Sequence, residues 1–242
     1  MSKRFKFFIG HLSISLLIAL LAILLVFCVW YPSPLAAAVG VTHIFLMLIA
    51  IDVILGPILG LLVYKEGKKS LKMDLSIIII IQLMAFGFGF YSIAQGRPAW
   101  IVFNQNSFEL IRVNDIYTEH PESIPEEFKN NPYLGPKYVA TRPSNNITMR
   151  SNDIFAEALG GISLAQRPER FVEINQQSEK IMSSAKPIEQ LNQFNSLDSV
   201  QKVLKQYPQA NGWIPLKAIQ QDMVVLMNQE QVVKVVDLRP WN

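Results

Sequence analysis

FFIGHLSISLLIALLAILLVFCVWYPSPLAAAVGVTHIFLMLIAID, residues 7–52, carries no formally charged side chain before its final Asp52. A bilayer's hydrocarbon core is about 30 Å thick and a helix rises about 1.5 Å per residue, so one crossing takes about 20 apolar residues. The stretch is long enough for two. Tyr31-Pro32-Ser33-Pro34 divides it, because proline lacks the amide hydrogen that a continuing helix requires. A second uncharged run, Leu75 to Gly96, supplies a third crossing. The expected spans are Phe7 to Trp30, Leu35 to Tyr64 and Leu75 to Ala94, which makes residues 1–96 a transmembrane region and the chain an integral membrane protein.

Basic side chains flanking short loops set orientation. Lys3, Arg4 and Lys6 precede span one, Lys65, Lys68, Lys69 and Lys72 lie between spans two and three, and the turn at 31–34 has none. The N-terminus is therefore expected in the cytoplasm and everything after Ala94 outside it. Trp30, Tyr31, Tyr91 and Trp100 then fall at the outer interface, where amphipathic rings favour the headgroup region. Residues 1–96 hold 7 basic and 3 acidic side chains, and residues 97–242 hold 15 basic and 16 acidic, so the overall charge of +3 is topogenic. A nearly neutral exported part does not attract a polyanion, and no nucleic-acid partner is expected. Span one exceeds the 7–15 apolar residues of a cleaved signal peptide. Cys28 is the only cysteine. An intramolecular disulfide and a cysteine metal cluster are thereby excluded, and Phe27 occupies the place where a lipoprotein box needs a small residue.

Residues 97–242 have the length of one ordinary domain. Ala99 to Phe103 and Phe108 to Val113 are β-prone runs around the turn-rich Asn104-Gln-Asn-Ser107, and Asp222 to Met227 and Gln231 to Asp237 flank Asn228-Gln-Glu230, giving two hairpins. Between them, residues 119–146 read as an extended surface loop, since Pro121, Pro125, Pro132, Pro136 and Pro143 preclude a long helix. Helices are expected over Asp153 to Leu159, Pro168 to Ser184 and Ser196 to Tyr207, with Ser196 as a cap and Gly160-Gly161 as a helix end. The expected fold is an α-helical bundle of three transmembrane helices followed by a periplasmic α+β domain whose N- and C-terminal β-hairpins bracket helices.

Asp52 is the sharpest single residue. It lies about twelve residues from the inner end of span two, near the bilayer midplane at about 1.5 Å per residue. An ionised carboxylate at that depth costs about 2.5–3.5 kcal/mol, so it should face protein or water. Asp52, Gly56 and Gly60 share one stripe at i, i+4 and i+8, Pro57 bends the helix beside them, and Gln82, Ala85, Gly89, Ser92 and Gly96 form a second stripe on span three. Either Asp52 bonds Gln82 inside a three-helix bundle, or the two stripes receive a partner helix. Arg97-Pro98 follows span three, either anchoring the helix end by snorkelling or docking the next domain onto the bundle. His11 and His43 read as interfacial residues.

Catalysis has little to stand on. HExxH, GxSxG, a P-loop and a second intramembrane aspartate are all missing, and His120 is the one histidine after span three. A non-enzymatic protein without a metal or cofactor is expected.

Taken in order, Trp30-Tyr31-Pro32, Asp52-Val-Ile-Leu-Gly56-Pro57, Gly67-Lys-Lys-Ser-Leu-Lys-Met-Asp-Leu75, Gln82 and Arg97-Pro98 resemble the TfpX/TfpZ group of type IV pilin accessory proteins. Gly135-Pro136 and Leu238-Arg-Pro-Trp241 fit more loosely. The resemblance implies an inner-membrane chaperone for a specific type IV pilin, with that major pilin and the lipid bilayer as partners. On this expectation Asp52, Gly56, Pro57, Gly60, Gln82, Gly89 and Arg97 form the partner-binding set. An accessory subunit for pilin modification, such as glycosylation, and a membrane sensor are the alternatives.

Overall fold

The structure, a computed structural model, describes residues 1–242. Helix α1, Lys3–Leu24, is capped by Ser2, whose hydroxyl accepts from the Phe5 amide, and runs into a π-helical turn, Leu25–Trp30. Helix α2, Leu35–Val39, is followed by α3, Val41–Val63, and α4, Leu71–Gln95. Lys3–Trp30, Val41–Val63 and Leu71–Gln95 are long and apolar enough to cross a membrane. The expected second span began at Leu35. It begins instead at Val41, because Gly40 adopts a left-handed conformation (φ +77°) that ends α2 and redirects the chain. The Ala38 carbonyl then accepts from the amides of Gln220 and Gln221 at 3.1 and 3.2 Å, so α2 packs against the C-terminal domain through Leu35 and Ala38 while Ala36 and Val39 stay against the bundle.

Both expected hairpins form. Strand β1, Pro98–Asn104, pairs antiparallel with β2, Ser107–Arg112. Strand β7, Met223–Asn228, pairs with β8, Gln231–Val236. The middle of the chain departs from expectation. The prolines of 119–136 hold short 3₁₀ turns, but the segment ends in β3, Lys137–Thr141, which lies parallel to β1 inside the sheet. Helix α5, Ile147–Gly160, starts six residues before Asp153, where the Asn146 side chain caps the Thr148 and Met149 amides at 2.9 and 3.2 Å. The expected helix at 168–184 is mostly other structure: a 3₁₀ turn, strand β4 (Phe171–Glu173), another 3₁₀ turn and only then α6, Ser178–Ser184. Strand β5 is Lys186–Pro187, and α7, Leu197–Gln206, is capped by Ser196 as expected. Strand β6, Gly212–Lys217, pairs parallel with β2 and antiparallel with β7, joining the two hairpins into one sheet of order β4-β3-β1-β2-β6-β7-β8, with β5 on β6.

Both faces of this sheet are covered. One carries Ile101, Phe103, Phe108, Leu216, Met223 and Val225, closed by Ile181 of α6 and by Leu35 and Ala38 of α2. On the other, Trp100, Phe128 and Phe171 meet edge to face at 5.5–5.9 Å, and further along Trp213 and Leu226 pack with Val200 of α7. Two residues from the turn between spans thus complete the core of a domain that begins some sixty residues later, which ties bundle and sheet together.

Candidate functional site

Gln82, in the middle of α4, is the polar centre of the bundle. Its amide nitrogen donates to the Asp52 carbonyl of α3 at 3.0 Å and to Ser15 Oγ of α1 at 3.2 Å, while its oxygen lies 2.9 Å from His11 Nε2. Three helices are therefore joined through one side chain in a region where lipid offers no competing hydrogen bonds. His11, expected as an interfacial residue, is a member of this network. His43 is exposed on α3.

The glycine stripes are used inside the protein. A Cβ at Gly56 would collide with the Gln82 amide, one at Gly60 would come within 2.9 Å of the Phe7 ring, and one at Gly89 within 2.6 Å of Leu48. Gly56, Pro57 and Gly60 are buried, and the face on which Gly60 and Gly89 lie is filled by this chain's own side chains. Pro57 sits within α3 without ending it. What stays open is a groove of about 200 Å³ between α3 and α4, walled by Ile51, Leu55, Leu59, Ile78 and Ile81 and containing Asp52, Gly56 and Gln82. Half or nearly half of each of Ile51, Leu55 and Leu59 is exposed there. The exposed lining of the groove is almost wholly apolar. It can accept an apolar rod.

Arg97 lies 5% exposed, not snorkelling to water. Its Nη1 donates to the Ala94 carbonyl at 2.6 Å, and its guanidinium lies 5.8 Å from the Trp30 ring of span one and 4.8 Å from the Tyr133 ring of the C-terminal domain. A planar, weakly hydrated cation between two aromatic faces suits burial better than an ammonium would. Beside it the Tyr31 hydroxyl donates to the Ile93 carbonyl at 2.7 Å, and burial raises the Tyr31 pKa against the opposing pull of Arg112 and Arg97. Arg97 therefore docks the sheet domain on the bundle. Of the glycines only Gly56 meets Gln82, while Gly60 faces α1 and Gly89 packs on Leu48; Arg97 stands apart, at the junction.

Sequence reasoning missed one cluster. Asp153 is the buried residue of α5, and its carboxylate is held by Arg167 at 2.9 Å and Arg170 at 2.7 Å, with Arg167 also stacked 5.3 Å from the Tyr117 ring. Helix α5 thus turns its acid inward and leaves Ile147, Ile154, Phe155 and Leu159 exposed. The three charged residues are scattered over eighteen positions, and only the outward apolar face of an otherwise polar helix could have signalled them. His120 pairs with Glu122 at 3.2 Å in an exposed turn. No three His, Cys, Asp or Glu side chains converge on one point.

The sequence profile of the family described as Fimbrial assembly protein FimB matches residues 1–40. The fimbrial assembly protein of serogroup E1 from Dichelobacter nodosus is 35% identical over 195 residues, covering 79% of this chain and 74% of that protein. The serogroup I protein of the same organism is 35% identical over 183 residues, covering 74% and 70%. A third, from serogroups C1 and C2, is 38% identical over 108 residues, covering 44% of this chain and 82% of the relative. No solved structure matches the chain.

Proposed function

Given that the chain belongs to the family of fimbrial assembly proteins, we propose that it is a non-enzymatic accessory protein of the bacterial inner membrane that chaperones one type IV major pilin. In this reading it lies N-terminus inward with residues 97–242 in the periplasm, the orientation that the basic flanks Lys3, Arg4, Lys6, Lys65, Lys68, Lys69 and Lys72 favour. A pilin waiting in the membrane presents an apolar N-terminal helix and a folded head. The observation that carries the reading is the α3/α4 groove, whose apolar lining, with Asp52, Gly56 and Gln82 along it, suits the side of one such helix. Helix association in lipid gains from close packing and from polar contacts, since the apolar surface itself is already solvated by acyl chains. Asp52 supplies the polar contact, and Gly56 permits the close approach that Gln82 already exploits. Gly60 acts by letting α1 close on α3 and Gly89 by letting α4 close on α3, which together shape the groove, and Arg97 by holding the sheet domain above it.

A photocrosslinking residue at Leu55 or Ile81 tests this in cells. Pilin should be captured from both positions and not from Ile14, which is 60% exposed on α1. Capture from Ile14 alone, or from none of the three, would sink the groove. In a deletion strain, pilin should become scarce at unchanged mass; a change in mass would instead indicate a role in modification.

A further inference from the structure

The exposed surface of α1 does not stop where the helix does. Leu17, Leu21 and Leu24 are about half exposed and continue at helical spacing to exposed Cys28 in the π-turn. Beyond Cys28 the stripe runs into a cleft of about 230 Å³ between the end of span one and the sheet, walled by Val29, Leu35, Leu134 and Tyr138. Lys234 of β8, an exposed side chain, also lines it. The loop forming the outer wall is pressed against the span: a Cβ on Gly135, which has φ +91°, would come within 3.0 Å of the Val29 carbonyl. At its tip Leu134 is 89% exposed and Tyr133 73% exposed. They sit level with Val29 and Trp30, at the end of a membrane-spanning helix.

We propose that this cleft is a binding site for one anionic phospholipid of the leaflet into which span one emerges, and that the Tyr133-Leu134 tip dips into the same leaflet. Three observations choose that occupant. The cleft is continuous with the lipid-facing stripe of α1, so an acyl chain enters it without crossing water. An exposed leucine beside a tyrosine at this depth matches the apolar-then-amphipathic order of a membrane interface. A lysine on a long flexible stem at the edge of a cleft lined by both polar and apolar groups places its ammonium where a phosphate lies above the acyl region. The site depends on the spans crossing a bilayer, but not on which partner the α3/α4 groove takes.

The test uses the full chain in phosphatidylcholine nanodiscs containing a minor fraction of phosphatidylglycerol with a diazirine high on one acyl chain. Crosslinks should map to residues 28–35 and 133–138, severalfold above those from the same probe on phosphatidylcholine. Lys234→Glu should lower the phosphatidylglycerol yield there to the phosphatidylcholine level while labelling of 14–24 stays constant. Absence of label from 133–138, equal labelling by the two lipids, or an unchanged yield in Lys234→Glu would each overturn the proposal.

Discussion

Replacing Gly56 by alanine isolates what the intramembrane glycine does. Its new Cβ would occupy the space of the Gln82 amide, so Gln82 must swing away and release His11, Ser15 and the Asp52 carbonyl. Interhelical hydrogen bonds in membrane proteins average about 0.6 kcal/mol, so losing three costs about 2 kcal/mol, roughly a thirtyfold shift in the unfolding equilibrium. Alanine is intrinsically the better helix former by up to about 1 kcal/mol, which opposes this loss without cancelling it. In a Gln82→Ala background the space is already empty. There Gly56→Ala should be neutral or stabilising, so the sign of the effect reverses and the coupling between the two sites is about 2 kcal/mol. Unfolding of the full chain in bicelles, followed by tryptophan fluorescence as sodium dodecyl sulfate is titrated, measures all four corners of the cycle. Equal cost of Gly56→Ala in both backgrounds would refute the account of Gln82 as the joint of three helices.

Arg97→Ala should loosen the sheet domain from the bundle by about 2 kcal/mol, the scale of a desolvated cation–π pair, and Arg97→Lys should restore only part of it; hydrogen exchange over residues 129–136 reads this, and unchanged protection in Arg97→Ala would count against the dock. Asp153→Ala leaves Arg170 without a carboxylate and Arg167 with only the more distant Glu119 at 3.5 Å, and breaking a buried pair in this way costs about 3–5 kcal/mol. Since Asp153 is what α5 buries, exchange should accelerate throughout 147–160. Burial pushes the Tyr138 hydroxyl up from 10.0 to about 12. Its neutral form is the one the fold favours, so this stability is complete below pH 10 and is lost as pH rises towards 12, about 2–3 kcal/mol in all. Tyr138→Phe should remove that part of the alkaline loss, measured by unfolding transitions at pH 9, 10 and 11 in the two proteins.

Where sequence reasoning failed, it failed at contacts rather than at composition. The prolines of 119–146 do exclude a long helix, yet Lys137-Tyr-Val-Ala-Thr141 within that segment is a strand in the sheet interior. Its β-branched character was outweighed by five neighbouring prolines that in fact precede or follow it. The 168–184 segment has an apolar spacing compatible with a helix, but Phe171 and Val172 pair with Thr141 and Ala140 instead, a tertiary choice that overrides local preference. The expected bond between Asp52 and Gln82 forms, through the Asp52 backbone carbonyl. The larger role of Gln82, with Ser15 sixty-seven positions away, follows from helix placement that no local pattern encodes.

Length without charge, proline breaks, basic flanks and two turns each flanked by β-prone runs were enough to determine three apolar helices, their approximate limits and both hairpins, because each of those signals acts over a few residues. Only the folded chain decided that Gly56 and Gly60 face α4 and α1, that Leu35 and Ala38 leave the membrane region to close the sheet's core, that β6 joins the hairpins, and that Arg97 is buried between rings from two different parts of the chain. Each of these depends on which surfaces meet, and that is settled by packing residues far apart in sequence into the same volume.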